Sequence, residues 1–540
     1  MAHKLYNLFN RKHTPQSAPI PGSAQVPNSA GGYAWPLDPW QRLMRFLVLG
    51  TEGGTFYITE QALTRENAVN ALACLAEDGQ RFVRTVVDVS ENGRAYKNDP
   101  ALFALALAAA AEEAATRRLA LEALPRVART GTHLLHFAGF VDGLRGWGRG
   151  LRQAVGQWYA GKSDEQLAFQ LAKYQSRDGW SHRDLLRLAH PMPQTEARKA
   201  LYRWAVGAED VPLEALTGLV AGLEELKHAQ SEQQVIDLIH RYQAPREVIP
   251  TEYQNKPAVW EALLPHLGLT ALVRNLGNLS KCGLLVPGAA VLPEVAGRLT
   301  DRQALRRARV HPLQLLAALV TYQQGHGMRG HGEWSVVPEV VDALNQAFGL
   351  AFENVTPTGK RQYLALDVSG SMAAGTVSGI PGLTPRAASA ALAMVTLNTE
   401  KDAIVRGFQT SMLELPVRPK MSLEQVTAAI SGLPFGGTDC AQPMLDALQH
   451  KLKVDAFVVY TDSETWAGKI HPVQALRDYR EKTGIPARLV VVGMTSNGFS
   501  IADPNDAGML DVVGFSTSTP AAIADFIADR LGAGEAQAEE

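Results

Sequence analysis

Cysteine is scarce in this chain: three residues in 540, at Cys74, Cys282 and Cys440. They are too few and too scattered for a disulfide framework or a zinc site, and they suit a reducing cytosol. Long apolar runs are missing too, so no membrane span is expected. The start, MAHKLYNLFNRKHTPQ, lacks the apolar core of a signal peptide. These absences together predict a cytoplasmic protein. No P-loop signature (Gly-x4-Gly-Lys followed by Ser or Thr) precedes any helical stretch, which argues against nucleotide hydrolysis of that type. A surplus of either charge is also lacking, with 52 Lys and Arg against 54 Asp and Glu. The balance is uneven along the chain. From Lys360 onward 15 basic residues face 20 acidic ones; the remainder holds 37 against 34 and twelve of the fourteen histidines. So thin an excess supports a nucleic-acid partner only where the basic residues cluster.

What is present divides the chain. At 540 residues, more than one core is expected. Residues 1–36 are rich in Pro, Ser and Gly and predict an irregular arm. From there to about residue 355 the pattern is helical. PLEALTGLVAGLEELKHA and similar stretches carry apolar residues at three- and four-residue spacing, cut short by Pro and Gly. Many short helices joined by tight turns predict a stacked, solenoid-like array. From about 360 to 532 apolar strands (YLALDV, AIVRGF, DAFVVYTD, ARLVVVGM) alternate with helical segments. That alternation calls for a doubly wound parallel sheet, giving an α plus α/β chain. Residues 533–540 read as a disordered tail.

In a doubly wound sheet, ligands gather at the carboxyl ends of the strands. Three oxygen-bearing loops fall there: Asp367-x-Ser369-x-Ser371, the Thr438 of GGTD, and the Asp462 of YTDSE. Two carboxylates and three hydroxyls, completed by water, suit six-coordinate Mg²⁺. Serines and aspartates at such places also cap helices. No base or nucleophile is positioned beside Asp367, so a hydrolase is disfavoured.

The order D-x-S-x-S, G-G-T-D, T-D-x-E resembles the metal-ion-dependent adhesion site of von Willebrand factor A domains. The resemblance implies a divalent cation held by Asp367, Ser369, Ser371, Thr438 and Asp462. An acidic group of a protein partner would complete the shell.

A basic face lies in LAKYQSRDGWSHRDLLRLAHP, residues 171–191. Lys173 and Arg177 share a face if that segment is helical. Ser181 and Asp184 give a helix start and Pro191 a stop. Arg183, Arg187 and His190 then form one stripe, opposite Leu185, Leu186 and Ala189, and His190 before Pro191 reads equally as a C-terminal cap. Between Arg145 and Arg203 eleven basic residues stand against five acidic ones, with Trp147, Trp158, Tyr174, Trp180 and Tyr202 interleaved. A solvated helix face explains such a stripe as well as RNA or phosphate binding does. Arg302, Arg306, Arg307 and Arg309 form a second basic stretch open to the same two readings.

The helical part resembles the TROVE module of Ro autoantigen proteins. The stretches TPQSAPIPGSAQVPNSAGGY, RFLVLGTEGGTFYI, RGWGRGLRQAV, KYQSRDGWSHRDLLRLAHP and LTALVRNLGNLS carry the likeness. Ro proteins also end in a von Willebrand A domain, so the resemblance spans essentially the whole chain. It implies a closed, HEAT-like ring of helical repeats, sealed by the A domain. It implies Y RNA on the outer surface, ends of misfolded or decaying RNA in the central hole, and in bacterial relatives an exoribonuclease reached through Y RNA. The family's Y RNA contacts fall on Lys173, Arg177 and His190. Arg183 and Arg187 join them by helical geometry alone, and Arg274 and Asn275 by their place in LTALVRNLGNLS. The implied activity is non-catalytic RNA quality control or decay. The competing reading is a metal-dependent protein-interaction scaffold without RNA.

Overall fold

The computed structural model describes residues 13–51, 59–327, 332–351, 356–377, 380, 383–433, 436–515 and 519–528. The expected tail at 533–540, the first twelve residues of the arm and most of GTEGGTFYI lie outside them. Residues 13–37 run as turns with two short antiparallel strands, β1 (Val26–Pro27) and β2 (Tyr33–Pro36).

Helices then follow one another from Pro39–Leu49 to Pro338–Leu350. Side chains fix many of their starts: Asp38 and Gln41 form a capping box, as do Ser163 and Gln166. Pro39–Leu49 packs mainly on the next helix, Glu60–Glu77, and the two after these pack mainly on the next but one. Gly79–Glu91 lies on Ala114–Val127, and Asp99–Ala109 on Gly131–Asp142. Two layers result, and Asp99–Ala109, apolar around most of its circumference, is buried between neighbours. One hairpin interrupts the array, β3 (Ser176–Arg177) paired with β4 (Trp180–Ser181).

The carboxy-terminal part is a six-stranded sheet: β5 (Gln362–Asp367), β6 (Ala403–Phe408), β7 (Met412–Glu414), β8 (Ala456–Thr461), β9 (Arg488–Gly493) and β11 (Met509–Val513). Their spatial order is β11-β9-β8-β5-β6-β7. Five strands are parallel, and the edge strand β7 is antiparallel to β6, so the sheet is mixed where a purely parallel one was expected. Alternation along β5 splits its side chains between two cores. Tyr363 and Ala365 join Phe457, Val459 and Leu489 on one face. Leu364 and Leu366 face the core continuous with that of the helical array.

The arm is irregular in backbone yet packed. β2 pairs with β10 (Phe499–Ser500), and Ile20 and Trp35 are buried against the sheet domain. Gln16, fully buried, donates to Asp439 Oδ1 at 2.6 Å and to the Ile470 carbonyl at 2.8 Å. It accepts from the Thr465 hydroxyl and from Gly468 N at 3.2 Å. A residue of this kind, with every amide group paired across more than four hundred positions of sequence, is a structural tie.

The array curls back on itself. His311, buried before the helix Pro312–Gln323, reaches both Arg94 near the array's beginning and Phe515 in the sheet domain. Leu313 N donates to its Nδ1 at 3.1 Å, which leaves the proton on Nε2. Nε2–H then donates to the Phe515 carbonyl at 2.7 Å and the Arg94 carbonyl at 3.1 Å. One imidazole thus joins both ends of the array to the sheet domain. Burial lowers its pKa to about 4. The folded state therefore binds this proton less readily than the unfolded chain does. The stability it contributes is complete above about pH 6.5 and is lost as pH falls towards 4. His133 and His182 are depressed in the same way, so the expected result is a difference. His311→Asn should melt lower than the parent at pH 7.5, with the gap narrowing as pH falls to 4.5, measured by thermal denaturation.

Candidate functional site

β5 and β8 are neighbours at the point where strand order reverses, and both end at one sheet edge. Asp367, the last residue of β5, is fully buried. Its Oδ1 accepts from Ser369 N at 2.9 Å and its Oδ2 from the Thr461 hydroxyl at 2.6 Å. The Ser369 and Ser371 hydroxyls are 3.2 Å apart, and the Ser371 hydroxyl faces Asp462 as a donor. Asp462, just past β8, accepts from Glu464 N at 3.0 Å. Gly370 N reaches the Gly436 carbonyl at 3.4 Å, which brings the GGTD loop alongside. Thr438 is buried there, its carbonyl accepting from Trp466 N and Ala467 N, each at 3.0 Å. The three loops thus converge, with Asp367, Ser369, Ser371 and Asp462 in one hydrogen-bonded chain.

Ser369 is the N-cap residue of the short helix Gly370–Ala373, but its side chain makes no capping bond. Capping therefore does not account for it. Burial first, and then the charge of Asp462, raise Asp367 to about 7. Burial raises Asp462, and burial with the Asp462 charge raises Glu464 to about 7. Among the described residues no three of His, Cys, Asp and Glu gather as a metal cluster. The donor set is two buried carboxylates with hydroxyls, which fits a small hard cation better than Zn²⁺.

Sequence reasoning missed the support around these loops. Arg386, buried, donates to the Val368 and Ser369 carbonyls beneath the first loop. Asn497 Nδ2 donates to the Asp462 carbonyl at 2.6 Å and to Glu464 Oε1 at 3.2 Å. Thr461 had a signal, since it adjoins Asp462 in YTDSE; Asn497 had only its place after a strand.

The cationic face differs from its expected geometry. The helix holding Lys173 runs from Asp164 and stops at Lys173, and Arg177 sits on β3. The two do not share a helical face. Asp178 and Gly179, both at positive φ, make the hairpin turn between them. Lys173 Nζ lies 3.7 Å from Glu247 and over the Phe169 and Tyr174 rings at 5.3 and 5.4 Å. Arg177 is exposed, 3.9 Å from Asp178. The next helix is His182–Ala189, with Ser181 and Asp184 as its capping box. His190 lies beyond it as a left-handed cap at φ 44°, so it leaves the predicted stripe. Arg183 and Arg187 do share a face. Both are exposed, and both donate to the Val206 carbonyl, at 3.2 and 3.4 Å.

His182 anchors this helix. Its ring is buried against the backbone of Gln170 and Tyr174 and bonds Tyr159 Oη at 2.8 Å. The Lys173 end and the Arg183–Arg187 face are therefore held in fixed relation. Arg274 is exposed within electrostatic reach of Tyr174, while Asn275 spends its amide on the Ala271 carbonyl. Trp158 and Tyr202 belong to the core; Trp147 and Trp180 stay half-buried, with ring centres 5.3 Å apart. Arg302, Arg306, Arg307 and Arg309 are all exposed.

Comparison with known proteins accords with this arrangement. A TROVE domain model matches residues 26–320 and a Ro60 vWA domain model residues 361–527. The chain is 45 % identical over 520 residues to the "RNA-binding protein RO60" of Deinococcus radiodurans, covering 96 % of this chain and 97 % of that protein. A protein of the same name from Caenorhabditis elegans is 33 % identical over 599 residues, covering 96 % of this chain and 92 % of its own. The crystal structure of the Deinococcus radiodurans RO (RSR) protein superposes with a TM-score of 0.69 at 46 % identity, covering 92 % of this chain and 100 % of that one. With both domains matched in order, and relatives aligned nearly end to end in a bacterium and an animal, the chain belongs to the Ro family of TROVE–von Willebrand A proteins.

Proposed function

We propose that this chain is a non-catalytic RNA-binding protein of noncoding RNA quality control or decay. The observation that carries this is the cationic corner around His182, where Arg177, Arg183 and Arg187 are exposed and Lys173 stands half-buried beside Glu247. Lys173, Arg177, Arg183, Arg187 and His190 would contact phosphates and base edges of a structured RNA, with Y RNA as the expected class. Arg274 would extend the surface, while Asn275, occupied within its own helix, would contribute least. Ends of misfolded RNA would enter the opening enclosed by the helical array, and an exoribonuclease is the expected partner. The family names of the relatives support the reading.

In the sheet domain Asp367, Ser369, Ser371, Thr438 and Asp462 would hold a divalent cation, Mg²⁺ by the hardness of the donors. A bound cation would neutralise two buried carboxylates and present a Lewis-acidic position to an acidic group of a protein partner.

The test is electrophoretic mobility shift with Y-type RNA over a salt series. Lys173→Ala with Arg177→Ala should weaken binding by at least ~100-fold, since two contacts to charged groups of ~1.5–3 kcal/mol each are lost. The slope of log K against log salt should flatten by about one for each phosphate that the variant no longer neutralises. Unchanged affinity and slope would favour the scaffold reading.

A further inference from the structure

The closure of the helical array brings four guanidinium groups together and gives them two carboxylates. Asp88 Oδ2 takes Arg94 Nη1 at 2.7 Å. Glu91 takes Arg126 Nε at 2.8 Å and Nη2 at 2.5 Å. Arg129 has no carboxylate; its Nη1 donates to Ser90 Oγ at 2.8 Å and the Arg126 carbonyl at 3.1 Å. Arg309 comes from the other end of the array. Among the described residues it makes no side-chain hydrogen bond or ion pair, and it is exposed. Its stem lies on Gly93, so closely that a Cβ there would stand 3.1 Å from Arg309 Cβ. Two cations from the two sides of the seam thus have no carboxylate of their own: the Glu91 charge reaches both, but that carboxylate is already paired with Arg126. Burial, and next the Arg309 charge, lower the Arg129 pKa, and Arg309 weighs on it more than Glu91 does.

The backbone adds a second observation. Arg309 follows the helix Arg302–Arg307 at φ 50°, a left-handed position that glycine occupies without strain. An arginine here keeps a strained conformation together with a charge that shares only the Glu91 carboxylate already taken by Arg126.

We propose that Arg129 and Arg309 form a phosphate site at this seam. Its occupant is a phosphodiester of bound RNA or free phosphate, which share the oxyanion that two guanidinium groups bind in charge-assisted fashion. A phosphate there relieves the repulsion between the cations and ties the beginning of the array to its end. The phosphodiester case rests on the RNA-binding reading above; the anion site itself does not.

The decisive variant is Arg309→Gly, because it removes the charge and relaxes the backbone. Its melting point should equal or exceed that of the parent chain, which a merely packing role for Arg309 would not allow. Its affinity for structured RNA should fall ~3- to 10-fold, with the salt slope flatter by about one. Arg129→Gln should lower affinity in the same sense. Inorganic phosphate, at ionic strength matched with chloride, separates the sources. A melting point raised by phosphate in the parent but not in Arg309→Gly identifies a general anion site. Protection by RNA alone identifies a backbone phosphate. If the parent binds no RNA yet phosphate still protects it selectively, the RNA reading fails and the anion site stands. If RNA binds the parent and Arg309→Gly with equal affinity and slope, and phosphate protects neither, the proposal is overturned.

Discussion

Arg45→Ala should destabilise the protein by about 3–5 kcal/mol, the cost of breaking one partner out of a buried ion pair. Arg45 belongs to the helix Pro39–Leu49, yet its side chain is wholly buried in the sheet domain. Nη2 lies 2.6 Å from Asp511 Oδ2, while Nη1 donates to Asn497 Oδ1 at 3.2 Å and to the Phe499 carbonyl at 3.1 Å. Gly493, at the end of β9, lets the guanidinium lie flat; a Cβ there would stand 2.5 Å from Arg45 Cζ. Alanine leaves the Asp511 carboxylate buried with only the Ser500 hydroxyl, at 2.6 Å. The loss should appear as a lower melting point and as early proteolysis of the joint between the array and the sheet. Arg45→Met combined with Asp511→Leu should recover much of it, because a well-packed apolar pair replaces the charges at little cost. If Arg45→Ala melts within about a degree of the parent, the pair does not hold the joint in solution.

The same residue shows where the sequence is readable and where it is not. Helices from Pro39 to Leu350 announce themselves by period and caps, because amphipathicity and capping are local. Four of the six main strands are visible as apolar runs, and the Asp367 and Asp462 loops follow strand ends as expected, while GGTD lies between the helices Leu423–Ser431 and Gln442–Gln449. β7 and β11 are short or half-exposed and give no such run. The Lys173–Arg177 pairing fails on a local signal that was there to be read: Asp178-Gly179 is a hairpin turn, and it ends the helical pattern. The strap of residues 13–37 is different. Its Pro- and Ser-rich composition looks like a solvated arm, because its burial comes from amide pairing with Asp439, Thr465, Gly468 and Ile470 rather than from apolar periodicity. Nothing within ten residues of Gln16 encodes those partners. The seam at His311, Arg94 and Phe515 is hidden for the same reason.

Mg²⁺ should stabilise the chain by about 2.7 kcal/mol once present at a hundredfold excess over its dissociation constant. Asp367 and Asp462 are both buried, and the charge of one raises the pKa of the other. An acid whose folded pKa lies above its unfolded value binds protons more readily in the fold. Without the ion, its contribution to stability falls as pH rises from about 4, the unfolded value, through about 7, where Asp367 titrates in the fold. A divalent cation reverses that sign, since it favours the ionised pair, so its protection should grow across the same interval. Thermal denaturation at pH 7.5 with EDTA or with Mg²⁺ should show the difference, and isothermal titration should give the affinity directly. Asp367→Asn should melt as high as the parent in EDTA, or higher, because one repelling charge is gone, and should gain almost nothing from Mg²⁺. Arg45→Ala should bind the ion more weakly, because Asn497 links Arg45 to the Asp462 carbonyl. Equal protection of the parent and Asp367→Asn would place the ion elsewhere and detach these loops from it.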